Sequence, residues 1–166
     1  EEHHGPHGVL AGTTGSGKSE LLQTLVTALA IEHDPRLVNF LLIDFKGGSS
    51  FQVFADLPHT VGMVTNLDGV LVERALEALK SEIHSRQQVL KKTSMRDIVQ
   101  YHRFYTRTAE DIHSLTYQPM PHLFIIVDEF AQLAKEMPDF LHELVRIAQV
   151  GRSLGLHLIL GTQSPM

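Results

Sequence analysis

The chain has 166 residues, of which 43% are hydrophobic and 20% are charged, a balance typical of one globular domain rather than of a disordered or fibrous chain. Its formal net charge of -5 gives no overall basic field, which disfavours a dedicated nucleic-acid binder, and the absence of cysteine excludes disulfides, thiolate metal sites and cysteine nucleophiles. No apolar run is long enough to cross a membrane and the first residues match no signal peptide, so we expect residues 1–166 to be a single domain of a larger protein.

Strands and helices are predicted to alternate along the first half of the chain. Residues 8–11 form a short apolar run, and leucine and valine then recur at helical spacing over residues 21–29. Residues 38–43 are continuously apolar, as in a strand covered on both faces, and residues 61–64 are a third short strand. The pattern of residues 72–90 indicates an amphipathic helix of several turns.

The second half of the chain begins with a weaker pattern over residues 93–121, for which we expect a short helix and a loop outside the core. Aromatic residues stand among polar ones there: Tyr101, Phe104, Tyr105 and Tyr117. Residues 123–127 are the clearest buried strand, residues 140–148 indicate a helix, and residues 156–160 form the last strand. The alternation predicts an α/β fold with a mainly parallel sheet flanked by helices.

A glycine-rich segment follows the first predicted strand and opens the first predicted helix. Residues 12–19 read Gly-Thr-Thr-Gly-Ser-Gly-Lys-Ser, the pattern of a phosphate-binding loop, in which glycines let the backbone curl so that its amides face an anion. Lys18 is expected to reach the terminal phosphates and Ser19 to ligate Mg²⁺. A plain surface turn is the alternative, and the flanking strand and helix disfavour it. The predicted ATP-binding residues are Gly12, Thr13, Thr14, Gly15, Ser16, Gly17, Lys18, Ser19 and Glu20.

An acidic pair, Asp128 and Glu129, stands at the carboxyl end of the strongest predicted strand, the end at which parallel sheets place their ligands. Acidic residues also end buried strands simply to meet solvent. Downstream of a phosphate-binding loop, however, we expect Asp128 to hold Mg²⁺ together with Ser19, and Glu129 to activate the water that attacks the γ-phosphate. An intact glutamate at this position favours hydrolysis over binding alone.

The strand over residues 38–44 lies between the loop and the acidic strand, an order that resembles the RecA-like (ASCE type) P-loop NTPases. In that group the last strand carries a polar sensor, and Gln163, beside Thr162, matches its position. Gln163 is therefore a candidate catalytic residue beside Lys18 and Glu129, with a polar strand terminus as the alternative.

Several longer segments carry a more specific resemblance. They are Leu-Ala-Gly-Thr-Thr-Gly-Ser-Gly-Lys-Ser-Glu-Leu-Leu-Gln at 10–23, Asp-Phe-Lys-Gly-Gly at 44–48, Leu-Pro-His at 57–59, Thr-Asn-Leu at 65–67, Val-Asp-Glu-Phe at 127–130 and Gly-Arg-Ser-Leu-Gly-Leu-His-Leu at 151–158. With them the sequence resembles the FtsK/SpoIIIE family, and within it the branch that contains the EccC and EssC ATPases of type VII secretion.

The resemblance implies a hexameric or otherwise oligomeric motor that binds nucleotide between neighbours, as a cytoplasmic domain of a bacterial protein anchored to the membrane by another region. It implies secreted helical-hairpin substrates and membrane components of the secretion machinery as partners. Arg152 becomes a candidate catalytic residue that neutralises charge on a neighbour's ATP, with a local salt bridge as the alternative. For Asp44 and Lys46 the resemblance suggests a loop near the nucleotide or a subunit contact, with a simple turn after the strand as the alternative. Family members continue past the last strand, so we expect the ATPase core to be C-terminally truncated here.

Cargo is the main question that the residues leave open. Residues 73–107 hold eight lysines and arginines against four acidic residues, which forms either a DNA-facing stripe or, more often, a solvated mixed-charge face. The predicted function is ATP hydrolysis that powers type VII protein secretion, with a DNA translocase and a regulatory ATP-binding module as alternatives. The 11 histidines are scattered without ligand spacing, so no transition-metal site is predicted.

Overall fold

The computed structural model describes residues 5–44, 50–65, 69–110 and 119–163. Within these ranges a five-stranded sheet is flanked by helices on both faces. The elements in chain order are β1 (Gly8–Ala11), α1 (Lys18–Glu32), β2 (Val38–Asp44), β3 (Thr60–Val64), α2 (Gly69–Thr93), α3 (Ile98–Glu110), β4 (His122–Asp128), α4 (Phe130–Glu136), α5 (Pro138–Gly151) and β5 (Leu156–Thr162), with short 3₁₀ turns at Gln52–Phe54 and Arg152–Leu154. None of these helices is both long and apolar enough to cross a membrane.

The sheet has the strand order β1-β5-β4-β2-β3, and every pairing is parallel. This confirms the predicted α/β fold. The central strands are apolar on both faces because helices cover both: Leu42 and Ile126 face a core with α1, whereas Leu41 and Ile125 face the larger core with α2, α3 and α5. Such two-sided burial explains why these strands are continuous apolar runs in the sequence.

The strand register decides which side chains meet at the carboxyl edge of the sheet. Asp44 at the end of β2 is the partner of Asp128 at the end of β4, and Ala11 at the end of β1 is the partner of Thr162 at the end of β5. Because β5 lies between β1 and β4 in the sheet, the loop after β1 faces the carboxyl ends of β5 and β4. Open α/β sheets bind their ligands at such an edge.

The region after residue 93 departs from one expectation, and the following part of the chain contains a helix that was not predicted. α3 belongs to the core: Ile98 is 2% exposed and Tyr101 is 1% exposed, against the prediction of a short helix and loop outside it. Ile98 and Tyr101 stand three positions apart, as on one helical face, so the aromatic ring supplies apolar surface that a pattern of aliphatic residues does not reveal. α4 was not predicted, because seven residues give too short a pattern. Tyr117 lies outside the described residues.

The helix α2 also corrects the idea of a DNA-facing stripe. Arg86 is one of the eight basic residues counted there, yet it is 3% exposed and lies inside the protein. It cannot contact a DNA backbone from that position. Among the exposed charges on α2, Lys80 pairs locally with Glu77, which is typical of a solvated helical face.

Candidate active site

The loop between β1 and α1 has the backbone that its glycines suggest. Gly15 and Gly17 have φ angles of 79° and 83°, a left-handed region that other residues rarely adopt, and a Cβ on Gly12 would stand 2.4 Å from Oγ of Ser16. Gly17 caps α1, and no side chain in the described part of the chain caps that end by a hydrogen bond. The first N–H groups of the helix therefore point toward the loop, where they can donate hydrogen bonds to an anion.

Lys18 and Ser19, on the first turn of α1, contact the acidic pair across the sheet edge. Lys18 is 8% exposed, and its Nζ lies 2.7 Å from Oδ1 of Asp128 and 3.3 Å from Oε2 of Glu129. The Ser19 hydroxyl donates a hydrogen bond of 3.0 Å to Oδ2 of Asp128. Two adjacent pairs of residues, separated by 109 to 111 positions in sequence, thus form one largely buried polar cluster.

The donor set of this cluster suits a hard cation. Oδ1 of Asp128 is buried and has no hydrogen bond within the described residues, so its 2.7 Å contact with Lys18 acts as an ion pair rather than as an aligned hydrogen bond. The serine hydroxyl and the aspartate carboxylate beside it are oxygen donors of the kind that Mg²⁺ prefers. Ser19 and Asp128 are therefore able to hold Mg²⁺ together with phosphate oxygens and water.

Glu129 joins β4 to α4 through a left-handed backbone, with φ 64° and ψ 53°. That conformation costs a residue with a side chain about 1–2 kcal/mol, and such strain is concentrated at functional positions. It lets the chain leave the strand and enter the helix within one residue, with the carboxylate held in the cluster. Oε1 of Glu129 accepts a hydrogen bond of 3.4 Å from the backbone N–H of Gln163, and Oε2 faces Lys18.

The end of β5 forms another wall of the site. The Thr14 hydroxyl donates a hydrogen bond of 3.0 Å to Oε1 of Gln163, so the candidate sensor already contacts the phosphate-binding loop. Gly161 lies against the acidic strand: a Cβ there would stand 3.2 Å from Oδ1 of Asp128 and 3.3 Å from the carbonyl oxygen of Val127. The sequence did not single out Gly161, because only the strand pairing shows what it faces.

Asp44 lies beside this cluster, as the neighbour of Asp128 in the sheet, and is 1% exposed. Its Oδ2 accepts a hydrogen bond of 3.2 Å from the N–H of Ser50, whose carbonyl accepts one of 2.6 Å from Nε2 of Gln23. Asp44 thus ties the chain after residue 49 to the site. Lys46, the other candidate of that motif, lies outside the described residues.

Glu20 and Arg152 are the two predicted site residues that the structure does not bring into the cluster. Glu20 is exposed on the first turn of α1. Arg152 is exposed on the 3₁₀ turn before β5, at the opposite edge of the sheet. The seven residues of β5 span about 20 Å at roughly 3.3 Å per residue, so Arg152 cannot reach the phosphates bound by its own chain.

A cluster of histidines at that opposite edge was missed, because its members stand on three different elements. Nδ1 of His122 lies 2.8 Å from Nε2 of His157, and the rings of His102 and His122 meet edge to face at 5.0 Å. Burial, followed by the neighbouring His157, lowers the pKa of His122 to about 4. In the described part of the chain no group of three or more histidine and acidic side chains is arranged to hold a metal ion.

Known proteins are similar to this chain in both sequence and fold. The FtsK/SpoIIIE family matches residues 1–166. The type VII secretion system protein EssC of Staphylococcus aureus (strain NCTC 8325 / PS 47) is 52% identical over 165 residues, which are 99% of this chain and 11% of EssC. The cytoplasmic domain of the Thermomonospora curvata type VII secretion ATPase EccC superposes with a TM-score of 0.86 at 42% identity, covering 98% of this chain and 18% of that one. A second EccC structure from that organism, of ATPases 2 and 3 in complex with a signal sequence peptide, has a TM-score of 0.81 at 26% identity, over 95% of this chain and 27% of that one.

The parallel sheet, the phosphate-binding loop and the lysine–carboxylate cluster at its edge define a P-loop ATPase domain. The chain belongs to the FtsK/SpoIIIE family. It spans about a tenth of the length of the curated relatives that it matches.

Proposed function

We propose that this domain hydrolyses Mg-ATP as part of a motor that powers type VII protein secretion. The supporting observation is the convergence of Lys18, Ser19, Asp128 and Glu129 at one sheet edge, with contacts of 2.7 to 3.3 Å. One cation there faces two buried carboxylates, an arrangement with room for the further positive charge that accompanies a triphosphate.

The residues divide the work of the reaction among them. The amides of residues 12–17 and of the first turn of α1 bind the phosphates, and Lys18 turns from Asp128 to the terminal phosphates. Ser19 and Asp128 would hold Mg²⁺, which would supply positive charge to the reacting phosphates. Glu129 accepts the proton of the attacking water, and Gln163 orients that water or the γ-phosphate through its side-chain amide.

Arg152 completes this chemistry in a neighbouring copy. Arg152 lies at the amino edge of β5, away from the edge with the phosphate-binding loop, which supports action in trans rather than on its own nucleotide. The exposed side chains of Val99 and Val150 flank it, at 41% and 48% exposure. Such apolar surface beside a cation supports an interface with the phosphate edge of a second copy, in a hexamer or another closed ring.

Partners follow from the relatives. Because an EccC structure holds a signal sequence peptide, we extend recognition of an export signal on secreted helical-hairpin substrates to the protein that contains this domain. We place the domain on the cytoplasmic side of the membrane, in a longer protein with further ATPase domains and a separate membrane anchor. Contacts with membrane components of the secretion machinery would then come through those other regions.

The test is the ATPase rate of the whole protein as a function of its concentration, with Lys18→Ala, Arg152→Ala and the exposed control Arg146→Ala measured beside the parent. We expect activity that rises faster than linearly with concentration, is abolished by Lys18→Ala, is strongly reduced by Arg152→Ala and is unchanged by Arg146→Ala. Equal activity of Arg152→Ala and the parent would remove the trans role.

The same assay separates the possible cargoes. A secretion motor is stimulated by its export substrate or by forced oligomerisation. Stimulation by duplex DNA that weakens steeply with salt would instead identify a DNA pump. Nucleotide binding with no turnover under any of these conditions would identify a regulatory module.

A further inference from the structure

Arg86 is a buried cation that the proposed reaction does not use. It lies on α2, its side chain is 4% exposed, and burial lowers the pKa of its guanidinium. Nε donates a hydrogen bond of 2.7 Å to Oε1 of Glu82, and Nη1 donates one of 2.7 Å to the backbone carbonyl of Leu154. Removing a guanidinium from water is costly, so a group buried in this way demands a reason beyond the pairing with Glu82.

The carbonyl that Arg86 holds belongs to the turn that carries Arg152. Residues Arg152–Leu154 form one 3₁₀ turn, and Leu154 is 3% exposed beneath it. Gly155 ends the turn with φ 77°, and a Cβ there would stand 2.2 Å from Cδ1 of Ile98. The turn is therefore held by contacts from α2, from α3 and from the core, while the side chain of Arg152 is exposed.

We propose that Arg86 is a positioning residue: it fixes the turn so that Arg152 is presented to the nucleotide of a neighbouring copy. This inference rests on the proposed trans role of Arg152. A long side chain on a loose turn would sample many directions, and each wrong direction lowers the fraction of encounters in which it reaches the γ-phosphate. The charged hydrogen bond from Arg86 to the carbonyl of Leu154 fixes the backbone of the turn and so limits the directions that the Arg152 side chain samples.

The positioning role differs from a general structural role in which subunit needs Arg86. A subunit needs Arg86 only when it offers its Arg152 to a neighbour, and not when it hydrolyses its own nucleotide with a neighbour's arginine. A residue that merely stabilises the fold would be needed equally in both situations.

The experiment mixes two inactive forms of the whole protein. Lys18→Ala offers an arginine but has no working site, and Arg152→Ala has a site but no arginine, so their mixture regains ATPase activity if Arg152 acts in trans. We then add Arg86→Met to one form at a time. On the arginine-offering form it should lower the regained rate by about tenfold with the KM for ATP unchanged, and on the other form by less than about twofold.

Arg86→Lys, which keeps a donor and the charge, should recover part of the rate on the arginine-offering form and serves if Arg86→Met does not fold. Lys80→Ala, exposed on the same helix, is the matched control and should change nothing in either form. Equal losses on both forms, or no loss on either, overturn the positioning role and leave the trans role standing. A mixture without Arg86 variants that regains no activity overturns the trans role itself.

Discussion

Thr14 and Gln163 stand 149 positions apart, yet the hydroxyl of Thr14 donates a hydrogen bond of 3.0 Å to Oε1 of Gln163. The candidate sensor therefore rests on the phosphate-binding loop. If its amide orients water or the γ-phosphate, this bond has to exchange when nucleotide enters. A change in the conformation of the loop would therefore alter a hydrogen bond of Gln163 directly.

Gln163→Ala should lower kcat by about tenfold while the KM for ATP stays within about twofold, because a sensor acts mainly in the transition state. Thr14→Val combined with it should cost less than the two single effects together, since both remove the same contact. Steady-state kinetics of the parent, the two single variants and the double variant measure this coupling. Gln132→Ala, on the exposed side of α4, is the control, and an additive cycle would contradict the coupling.

Lys18→Ala should reduce hydrolysis by at least about 100-fold, because it removes the cation that reaches the terminal phosphates. It also removes the positive charge that faces the buried carboxylates of Asp128 and Glu129, so the free energy of unfolding without Mg²⁺ should fall by about 3 kcal/mol. Phosphate release and urea unfolding measure the two effects. The exposed Lys80→Ala should cost less than about 1 kcal/mol, and a Lys18→Ala protein with parental turnover would refute the assignment.

Glu129→Gln should bind Mg-ATP with nearly parental affinity but hydrolyse it about 100-fold or more slowly, because the amide cannot take a proton from water. Its size and its left-handed backbone position are otherwise preserved. Calorimetry and single-turnover kinetics separate binding from chemistry. Unchanged hydrolysis in this variant would mean that Glu129 is not the base. Glu136→Gln, on the last turn of α4, is the control.

The lowered pKa of His122 predicts that the protein loses stability in mild acid. Its pKa is about 4 in the folded protein against 6.5 ordinarily, so between those values the unfolded chain binds the additional proton and stability falls as the pH falls from about 6.5 to about 4. The groups that face it are His157, His102, Arg86 and His33. Urea unfolding at about pH 7 and about pH 5 should show a smaller difference for His122→Gln than for the parent. The exposed His84→Gln should leave that difference unchanged, and equal pH dependence in all three proteins would rule out His122 as its source.

Tyr101→Ala should lower the free energy of unfolding by about 3–5 kcal/mol, as expected for a large buried ring. Phe104→Ala, on the same helix but 38% exposed, should cost less than about 1 kcal/mol. Thermal or urea unfolding compares the two. Similar losses at both positions would mean that α3 does not pack through Tyr101.

The strands and the phosphate-binding loop could be predicted from sequence because each is a local pattern. Continuous apolar runs mark strands buried on both faces, and glycines with a following lysine mark a loop that must curl around an anion. The burial of Arg86 could not be predicted, because the same mixture of charges is found on solvated helices. The meeting of His102 with His122 and His157 was equally hidden, because it depends on which elements become neighbours. α3 was underestimated since its core contacts come from a tyrosine among polar residues.

Gly161 has no functional group, yet a methyl group there would press against Asp128, Leu22 and the backbone of β4. To admit a methyl group at this point, the neighbours of Gly161 would have to shift by a few tenths of an ångström. A substitution of Gly161 that leaves every catalytic side chain intact would therefore press on the carboxylate of Asp128. Because Gly161 carries no reactive group, a search for catalytic side chains would not identify this position.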